Sequence, residues 1–267
     1  MKIKDTIAVV TGASSGIGAA TARLLAARRA RVVLLARGAG PLEELAGQIK
    51  AAGGEAWAYP VDLTDAAAVA GTAARVLAEV GVPHILVNNA GMGRFLAIDE
   101  TTAAEAAEMM AAPYFAAFHV THAFLPAMLG RRRGMIVNVT SPASRLPWPG
   151  ATAYAAARWA MRGFNEALRA DLYRTGVSTM LVTPGKVKSA YFANNPGSEE
   201  RIPAIARISK TLTPEEVAEA LVKGVEAGKR SVVTPRLIQV FFVLHALFPR
   251  TIEFLVNSTG WKRRRKP

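Results

Sequence analysis

The chain has 267 residues, 51% of them hydrophobic and 20% charged, which excludes a disordered protein and suits one α/β domain with a sizeable core. It contains no cysteine, so disulfide bonds and thiolate chemistry are excluded. The net charge is +13, with clusters of cations at 131–133 and 262–266. Such clusters are typical of a solvated surface or of attraction to an anionic membrane. Since no nucleic-acid-binding motif accompanies them, we expect no nucleic-acid partner.

Short apolar strands alternate with alanine-rich helical stretches along the chain. This alternation predicts βαβ units around a doubly wound parallel sheet, an α/β fold in a single domain. We expect strands near residues 6–11, 31–36, 55–60, 84–88, 134–140 and 178–183, and a last strand at 231–234. The first strand begins too early for a signal peptide to precede it, so a cytoplasmic location is expected.

Residues 11–18, Thr-Gly-Ala-Ser-Ser-Gly-Ile-Gly, join the first strand to a helix-forming run. Gly12 would allow a sharp turn, Gly16 a close approach to a pyrophosphate, and Gly18 tight packing of helix on strand. The free N–H groups of the first helical turn would face the anion. The segment therefore predicts a nucleotide site, with a glycine-rich turn of no chemical consequence as the alternative.

Three further segments follow strands on the edge where ligands bind to such sheets. Arg37 follows the second strand, where a basic residue accommodates the 2′-phosphate of NADP(H) and an acid would bind a ribose 2′-OH. An ordinary surface arginine is the alternative. Asp62 follows the third strand and could accept a hydrogen bond from an adenine amino group, while Thr64 or Asp65 could cap the next helix. Asn88-Asn89-Ala90-Gly91 ends the fourth strand.

The glycine segment and the Asn-Asn-Ala-Gly segment together resemble the short-chain dehydrogenase/reductase family, over roughly residues 5–235. The resemblance implies a Rossmann-type fold, an NADP(H) cofactor, a small-molecule carbonyl or alcohol substrate, and a homodimer or homotetramer. The cofactor-binding residues that it implies are Gly12, Ser14, Ser15, Gly16, Ile17, Gly18, Arg37, Asp62, Leu63, Asn88, Ala90, Gly91, Tyr154, Arg158, Pro184, Gly185, Val187 and Ser189. No metal site is expected, because no cysteine or carboxylate completes a set with His119 and His122.

The resemblance also implies a catalytic set. Ser141 follows the fifth strand, Tyr154 stands thirteen positions later, and Arg158 stands four beyond that. In the family these are the positions of the substrate-orienting serine, the catalytic tyrosine and a lysine. The implied reaction interconverts a carbonyl and a secondary alcohol, with Tyr154 as general acid and base. Residues 184–189 resemble the loop that closes over the nicotinamide.

Two positions depart from the family. Arg158 replaces a lysine that favours the phenolate and binds the ribose; arginine keeps the charge, spreads it over a longer head and cannot release a proton. Pro113 replaces an asparagine that holds a relay water. The proline would kink its helix and free the carbonyl of Met109, which could hold a water instead. These departures motivate an alternative function, a catalytically weakened NADP-binding relative that acts as a sensor or scaffold.

The C-terminal third completes a nucleotide-binding domain at 1–235, which includes a substrate loop at 190–212. Thr213, Pro214 and Glu216 predict a helix start with a capping box. We expect residues 236–267 to form an apolar helical extension and a basic tail. Within it, residues 237–248 are apolar almost all round a helix and too few to cross a bilayer. It could pack on its own domain or another subunit, or lie in a membrane surface. Either arrangement could wall a pocket for a hydrophobic substrate.

Overall fold

The computed structural model describes residues 1–263, so the last four residues of the predicted basic tail lie outside it. The strands are β1 (Ile7–Thr11), β2 (Arg31–Ala36), β3 (Glu55–Pro60), β4 (Ile85–Asn88), β5 (Gly134–Val139), β6 (Val177–Pro184) and β7 (Ser231–Thr234). All pair in parallel in one sheet, in the order β3-β2-β1-β4-β5-β6-β7. This Rossmann-type sheet confirms the predicted fold, with strand ends within one residue of those expected.

Helices cover both faces of the sheet. They are α1 (Gly16–Ala27), α2 (Ala39–Ala51), α3 (Ala66–Glu79), α4 (Ala103–Met110), α5 (Ala116–Arg131), α6 (Thr152–Asp171), α7 (Pro214–Glu226), α8 (Arg236–Leu247) and α9 (Pro249–Thr259). Successive residues of β2 point to opposite faces: Val32 and Leu34 pack in the core beneath α1 and α2, whereas Val33 and Leu35 pack with α3 and α5. Burial on both faces explains why the strands are continuously apolar.

The strand order reverses between β1 and β4. From β1 the chain proceeds outward to β2 and β3, then returns to β4 and proceeds the other way. At such a point the loops that follow neighbouring strands separate and leave a crevice beyond their carboxyl ends. The loops after β1 and β4 are therefore placed to form the two sides of a binding site.

The predicted start of α7 is confirmed. The Thr213 hydroxyl accepts a hydrogen bond from the amide of Glu216 at 3.3 Å, and the amide of Thr213 donates to the Glu216 carboxylate at 2.9 Å. These reciprocal bonds satisfy backbone donors that the first helical turn leaves free. Pro214 follows at the first helical position, where its missing N–H costs nothing.

The apolar C-terminal segment forms two helices, α8 and α9, that are only half buried. Ile238 and Phe242 of α8, and Ile252 and Val256 of α9, pack inward. The opposite side exposes the large apolar side chains Val240, Val243, Leu244, Leu247, Phe248 and Phe254. Across residues 1–263 no helix is both long enough and apolar enough to span a membrane.

Candidate active site

The turn between β1 and α1 is built by its glycines. Gly12 has φ +62°, and a Cβ there would lie 2.9 Å from the Cα of Ala90 in the loop after β4. At Gly18 a Cβ would lie 2.2 Å from the carbonyl oxygen of Gly12, so α1 packs on the turn at a distance that excludes any side chain. Ser15 is the N-cap of α1 and its side chain makes no capping bond. The first amides of α1 therefore remain available to an anion.

Two adjacent asparagines, Asn88 at the end of β4 and Asn89 just after it, have different surroundings. Asn88 is buried, and its amide nitrogen donates to Thr121 at 3.0 Å and to Asn138 at 2.9 Å. Its side chain thus joins β4 to α5 and β5 and does not line the cleft, although the sequence predicted it to bind the cofactor. Asn89 lines the cleft instead, and it donates to the carbonyl of Thr11 at 3.1 Å.

Arg37 and Asp62 occupy the end of the cleft beyond β2 and β3. Arg37 is exposed, and the residue that ends β2 is Ala36, so no acid stands at the strand end. The Asp62 carboxylate accepts hydrogen bonds from the amide and hydroxyl of Thr64 at 2.9 and 2.8 Å. These bonds, chiefly the one from the backbone amide, lower the pKa of Asp62 and keep it an acceptor at neutral pH.

Ser141 and Tyr154 reach the cleft from different elements. Ser141 lies just beyond β5, where its hydroxyl accepts a hydrogen bond from the amide of Ala143 at 3.3 Å. Tyr154 lies in the first turn of α6 and is 6% exposed. Its ring packs against Phe95, with 4.6 Å between ring centroids, and against Trp148 at 6.2 Å. Aromatic walls on two sides therefore fix the plane of the phenol.

Arg158 follows Tyr154 by one helical turn and is buried. Its guanidinium carbon lies 4.9 Å from the centroid of the Tyr154 ring. The guanidinium also lies close to the backbone of Gly91, where a Cβ would lie 2.9 Å from the Arg158 Nη2. Burial acts to lower the pKa of Arg158, but the phenols of Tyr154 and Tyr191 more than offset it, so the net shift is upward. The site therefore carries a fixed positive charge against the Tyr154 ring.

Pro113 lies in a π-helical turn beside the cleft. A π-helical turn over Ala111–Phe115 separates α4 from α5, and the amide of Ala116 donates to the carbonyl of Ala111. A proline lacks the amide that an α-helix requires at that position, which favours such a turn. Pro113 is itself buried, while Ala111 and Ala112 line the cleft.

Most of these groups line one cleft of about 1030 Å³. Two of the predicted site residues, Gly18 and Asn88, do not line it. Those that do are Gly12, Ser14, Ser15, Gly16, Ile17, Arg37, Asp62, Leu63, Ala90, Gly91, Ser141, Tyr154, Arg158, Pro184, Gly185, Val187 and Ser189. The segment after Ser189, within the predicted substrate loop, closes one side of the cleft.

Several lining residues have no local sequence signal. Phe95 and Tyr191 lie in loops whose paths depend on contacts distant in sequence. The C-terminal helices also contribute the apolar side chains Ile238, Phe241, Phe242 and Val256 to the wall. Their apolar character was visible in the sequence, and a wall for a hydrophobic substrate was one of the roles expected of that segment.

Comparison with known proteins gives one consistent family. The family model described as short chain dehydrogenase matches residues 6–200. Estradiol 17-beta-dehydrogenase 11 of Macaca fascicularis is 31% identical over 250 residues, which cover 92% of this chain and 80% of that protein. A short chain dehydrogenase/reductase from Burkholderia phymatum, solved in complex with NAD, is similar with a TM-score of 0.84 at 27% identity, over 99% of this chain and 100% of that chain. A metagenomic short-chain oxidoreductase in complex with NADP has a TM-score of 0.73 at 33% identity, over 88% and 98%.

Proposed function

Because the chain belongs to the short-chain dehydrogenase family, we propose that it is an NADP(H)-dependent oxidoreductase that interconverts a carbonyl group and a secondary alcohol. The observation that carries the proposal is that Ser141, Tyr154 and Arg158 line the same cleft as the glycine turn. A nucleotide site and a positioned phenol in one cleft are what hydride transfer coupled to proton transfer requires.

The residues of the cleft suit a nicotinamide dinucleotide. The free amides at the start of α1 and the close packing at Gly18 leave room for a pyrophosphate beside the backbone. Arg37, with Ala36 where an acid would stand, favours the 2′-phosphate of NADP(H). One solved relative is described with NAD and another with NADP, which supports the cofactor class.

In reduction, Tyr154 donates its phenolic proton to the substrate oxygen, and Ser141 donates a hydrogen bond to that same oxygen. When bound, the reduced nicotinamide supplies the hydride that the carbonyl carbon receives. The phenolate that remains on Tyr154 is stabilised by the Arg158 guanidinium against its ring. In oxidation the Tyr154 phenolate accepts the proton of the alcohol. Arg158 keeps its own proton throughout, so it acts by its charge.

The substrate is proposed to be hydrophobic. The cleft beyond Tyr154 is walled by Phe95 and Trp148, and by Ile238, Phe241 and Phe242 of α8. An apolar wall with few polar groups favours an apolar ligand, whose carbonyl is then oriented by Ser141 and Tyr154.

The assembly and the domain plan are also proposals. Three large apolar side chains, Phe115, Phe118 and Trp159, are exposed near the start of α5 and on α6, which supports a homodimer or homotetramer through that surface. We also propose that residues 1–235 form the nucleotide-binding domain, that residues 236–267 form an extension of it, and that the enzyme is cytoplasmic.

A membrane-surface contact is proposed for the extension. The outward side of α8 and α9 exposes Leu247, Phe248 and Phe254. Residues 236–267 contain seven lysines and arginines and one acid, which complements an anionic lipid surface. The inward side of the same helices walls the cleft, so the contact would bring the site close to lipid-dissolved substrates.

The test is NADPH oxidation, followed by absorbance, with a panel of aliphatic, aromatic and steroid-like ketones and aldehydes. Tyr154→Phe removes only the phenolic oxygen, so kcat should fall by about 10²–10⁴-fold. NADPH binding, read by its fluorescence, should persist. Tyr173→Phe, at an exposed tyrosine beyond the end of α6, is the matched control and should keep full activity.

Two results would count against the proposal. A fully active Tyr154→Phe enzyme would remove the phenol from the mechanism. A parent protein that binds NADPH yet reduces no carbonyl of the panel would favour the alternative, an NADP-binding sensor or scaffold.

A further inference from the structure

Separate segments of the chain form the wall of the cleft around Tyr154. The loop after β4 contributes Phe95, the loop before α6 contributes Trp148, and the proposed substrate loop contributes Ile202. These side chains pack in one apolar cluster with Tyr154. α9 adds Val256 to the same cleft. The shape of the wall therefore depends on the contacts that join these segments to one another.

The segment after α9, residues 260–263, makes such contacts, and we call it the C-terminal strap. The Trp261 ring lies against the Arg201 guanidinium, with 4.5 Å between the guanidinium carbon and the ring centroid. A Cβ at Gly150 would lie 3.3 Å from the Trp261 Cε3 and 3.1 Å from the Arg201 Nη1. Neither Trp261 nor Arg201 lines the cleft. The strap thus contacts the substrate loop and the loop before α6 from outside the cleft.

Arg201 joins the strap to the loop after β4. Both of its terminal nitrogens donate to the Glu100 carboxylate, Nη2 at 2.9 Å, and the same carboxylate accepts a hydrogen bond from the amide of Ala97 at 2.8 Å. A two-pronged bond of this kind fixes the orientation of a guanidinium as well as its distance. Arg263 of the strap also donates to Asp99, at 2.6 Å, but both side chains are more than half exposed, so this pair contributes little.

The Arg201 contacts are placed to hold the second half of the substrate loop. The first half is attached independently of the strap, because the Tyr191 hydroxyl donates to the carbonyl of Gly93 at 2.6 Å. Ile202 and Pro203, which line the cleft, come after that attachment and follow Arg201 directly. Loss of the Arg201 contacts should therefore release the wall near Ile202 and Pro203 and leave the first half of the loop in place.

We propose that Arg201, stacked on Trp261, is a positioning residue that determines substrate specificity. By joining the C-terminal strap, the substrate loop and the loop after β4, it holds the apolar wall in the position that binds long hydrophobic substrates. Trp261 and Glu100 act on the guanidinium as one unit, since the ring supports its face and the carboxylate its edge. The inference rests on the proposed function and deepens it, because it makes the C-terminal extension part of the substrate site.

The test compares the NADPH-dependent reduction of 2-decanone and 2-butanone. In Arg201→Gln we expect kcat/KM for 2-decanone to fall about tenfold and that for 2-butanone to fall less than about twofold, because the longer chain depends more on the apolar wall. The KM for NADPH should change less than about twofold, since Arg201 lies outside the cleft. Arg207→Gln makes the same change at an exposed arginine of the same loop, and should behave as the parent does.

The strap is tested by the same two ketones. Trp261→Ala should reproduce the loss seen in Arg201→Gln, and Trp261→Phe, which keeps an aromatic face for the guanidinium, should recover most of it. In the double variant the loss should exceed that of the worse single variant by less than about twofold, because both substitutions break one unit. Lys262→Ala, at the exposed neighbour of Trp261, is the matched control and should keep both activities.

Equal losses with the two ketones, or no loss with 2-decanone, would overturn the inference, as would additive losses in the double variant or no recovery in Trp261→Phe. A second measurement needs no turnover: amide hydrogen exchange of residues 201–208 should accelerate in Trp261→Ala, while that of α3 stays unchanged. Unchanged exchange of 201–208 would also overturn the inference. If the parent reduces neither these ketones nor any other carbonyl, the proposed function fails, and the exchange measurement still decides whether the strap holds the substrate loop.

Discussion

At the scale of single residues, we expect the choice between the two nicotinamide cofactors to depend on Arg37. The side chain is exposed at the end of β2, and the strand ends in Ala36. A 2′-phosphate adds negative charge where only a hydroxyl stands in NAD(H). A charge-assisted bond from a guanidinium to that phosphate is worth about 1.5–3 kcal/mol. Because no acid stands at the end of β2 to bind the ribose hydroxyls, NAD(H) gains no comparable binding free energy there.

Arg37→Glu should therefore reverse the preference. We expect kcat/KM for NADPH to fall by about 10–100-fold, from the lost bond and the new repulsion, and kcat/KM for NADH to stay level or rise. Steady-state kinetics with both cofactors measure this. Arg31→Glu, at the opposite end of the same strand, carries the same charge change far from the site and should alter neither value. Equal losses with NADPH and NADH would show that Arg37 does not read the 2′-phosphate.

The residue spacing on α6 was predictable because helical geometry fixes it. Tyr154 and Arg158 are one turn apart, so they share a face whatever else the chain does. What the guanidinium touches was not predictable, since its place against the Tyr154 ring depends on Gly91 in another loop. The sequence also did not show which of Asn88 and Asn89 lines the cleft, because that depends on the direction in which each side chain points at the end of β4. Tyr191 had no signal at all, because loop paths follow from tertiary contacts.

At the scale of elements, the glycine turn joins the fold to the proposed chemistry. Tight packing of α1 on the turn brings the helix N-terminus to the end of β1. The close approach of α1 to the turn, which a Cβ at Gly18 would prevent, also places the first amides of α1 beside the cleft. Helix packing and the proposed anion binding therefore both depend on the absence of a side chain at Gly18.

Gly18→Ala should destabilise the protein and weaken NADPH binding together. The added Cβ would lie 2.2 Å from the carbonyl oxygen of Gly12, so α1 must move. Overpacking of this kind costs about 1–3 kcal/mol. Gly71→Ala on α3 is the matched control: its Cβ meets nothing within 4 Å, and alanine should raise the free energy of unfolding by up to about 1 kcal/mol. Urea unfolding and fluorescence titration measure the two effects; a stable Gly18→Ala protein would contradict the packing argument.

The elements themselves were predictable to different degrees. The ends of the buried strands were predicted to within one residue. Short continuous apolar runs bounded by turn residues rarely form anything but buried strands in an α/β chain. The capping box located α7 for the same local reason. The sequence of the C-terminal segment did not decide between packing on its own domain, packing on another subunit and lying in a membrane surface. An apolar helix requires apolar surroundings, but its sequence does not specify which surroundings these are. The structure buries one side of it and leaves the other exposed.

At the scale of the whole molecule, the exposed apolar surface of α8 and α9 belongs to a sequence segment that is rich in cations. The net charge is +13, and residues 236–267 hold seven lysines and arginines against one acid. The exposed sides of α8 and α9 lie within that segment. A segment that combines an apolar surface with excess positive charge suits an anionic bilayer, where both contribute: about 0.8 kcal/mol for each buried methylene and about 1 kcal/mol for each cation near the surface.

The full chain should therefore bind vesicles of phosphatidylcholine with 30% phosphatidylglycerol, and bind them less well in high salt, because the charge contribution is screened. Phe254→Asp should weaken sedimentation with these vesicles at least about tenfold, since the ring, 70% exposed in the protein, can no longer enter the lipid. Tyr173→Asp makes a similar change at a side chain 72% exposed on another part of the molecule, and should bind as the parent does. The membrane proposal is wrong if the parent does not bind the vesicles and Phe254→Asp has a lower molar mass than the parent in light scattering. In that case the exposed side of α8 and α9 joins copies of the chain, because a substitution on a purely lipid-binding surface would leave the oligomeric state unchanged.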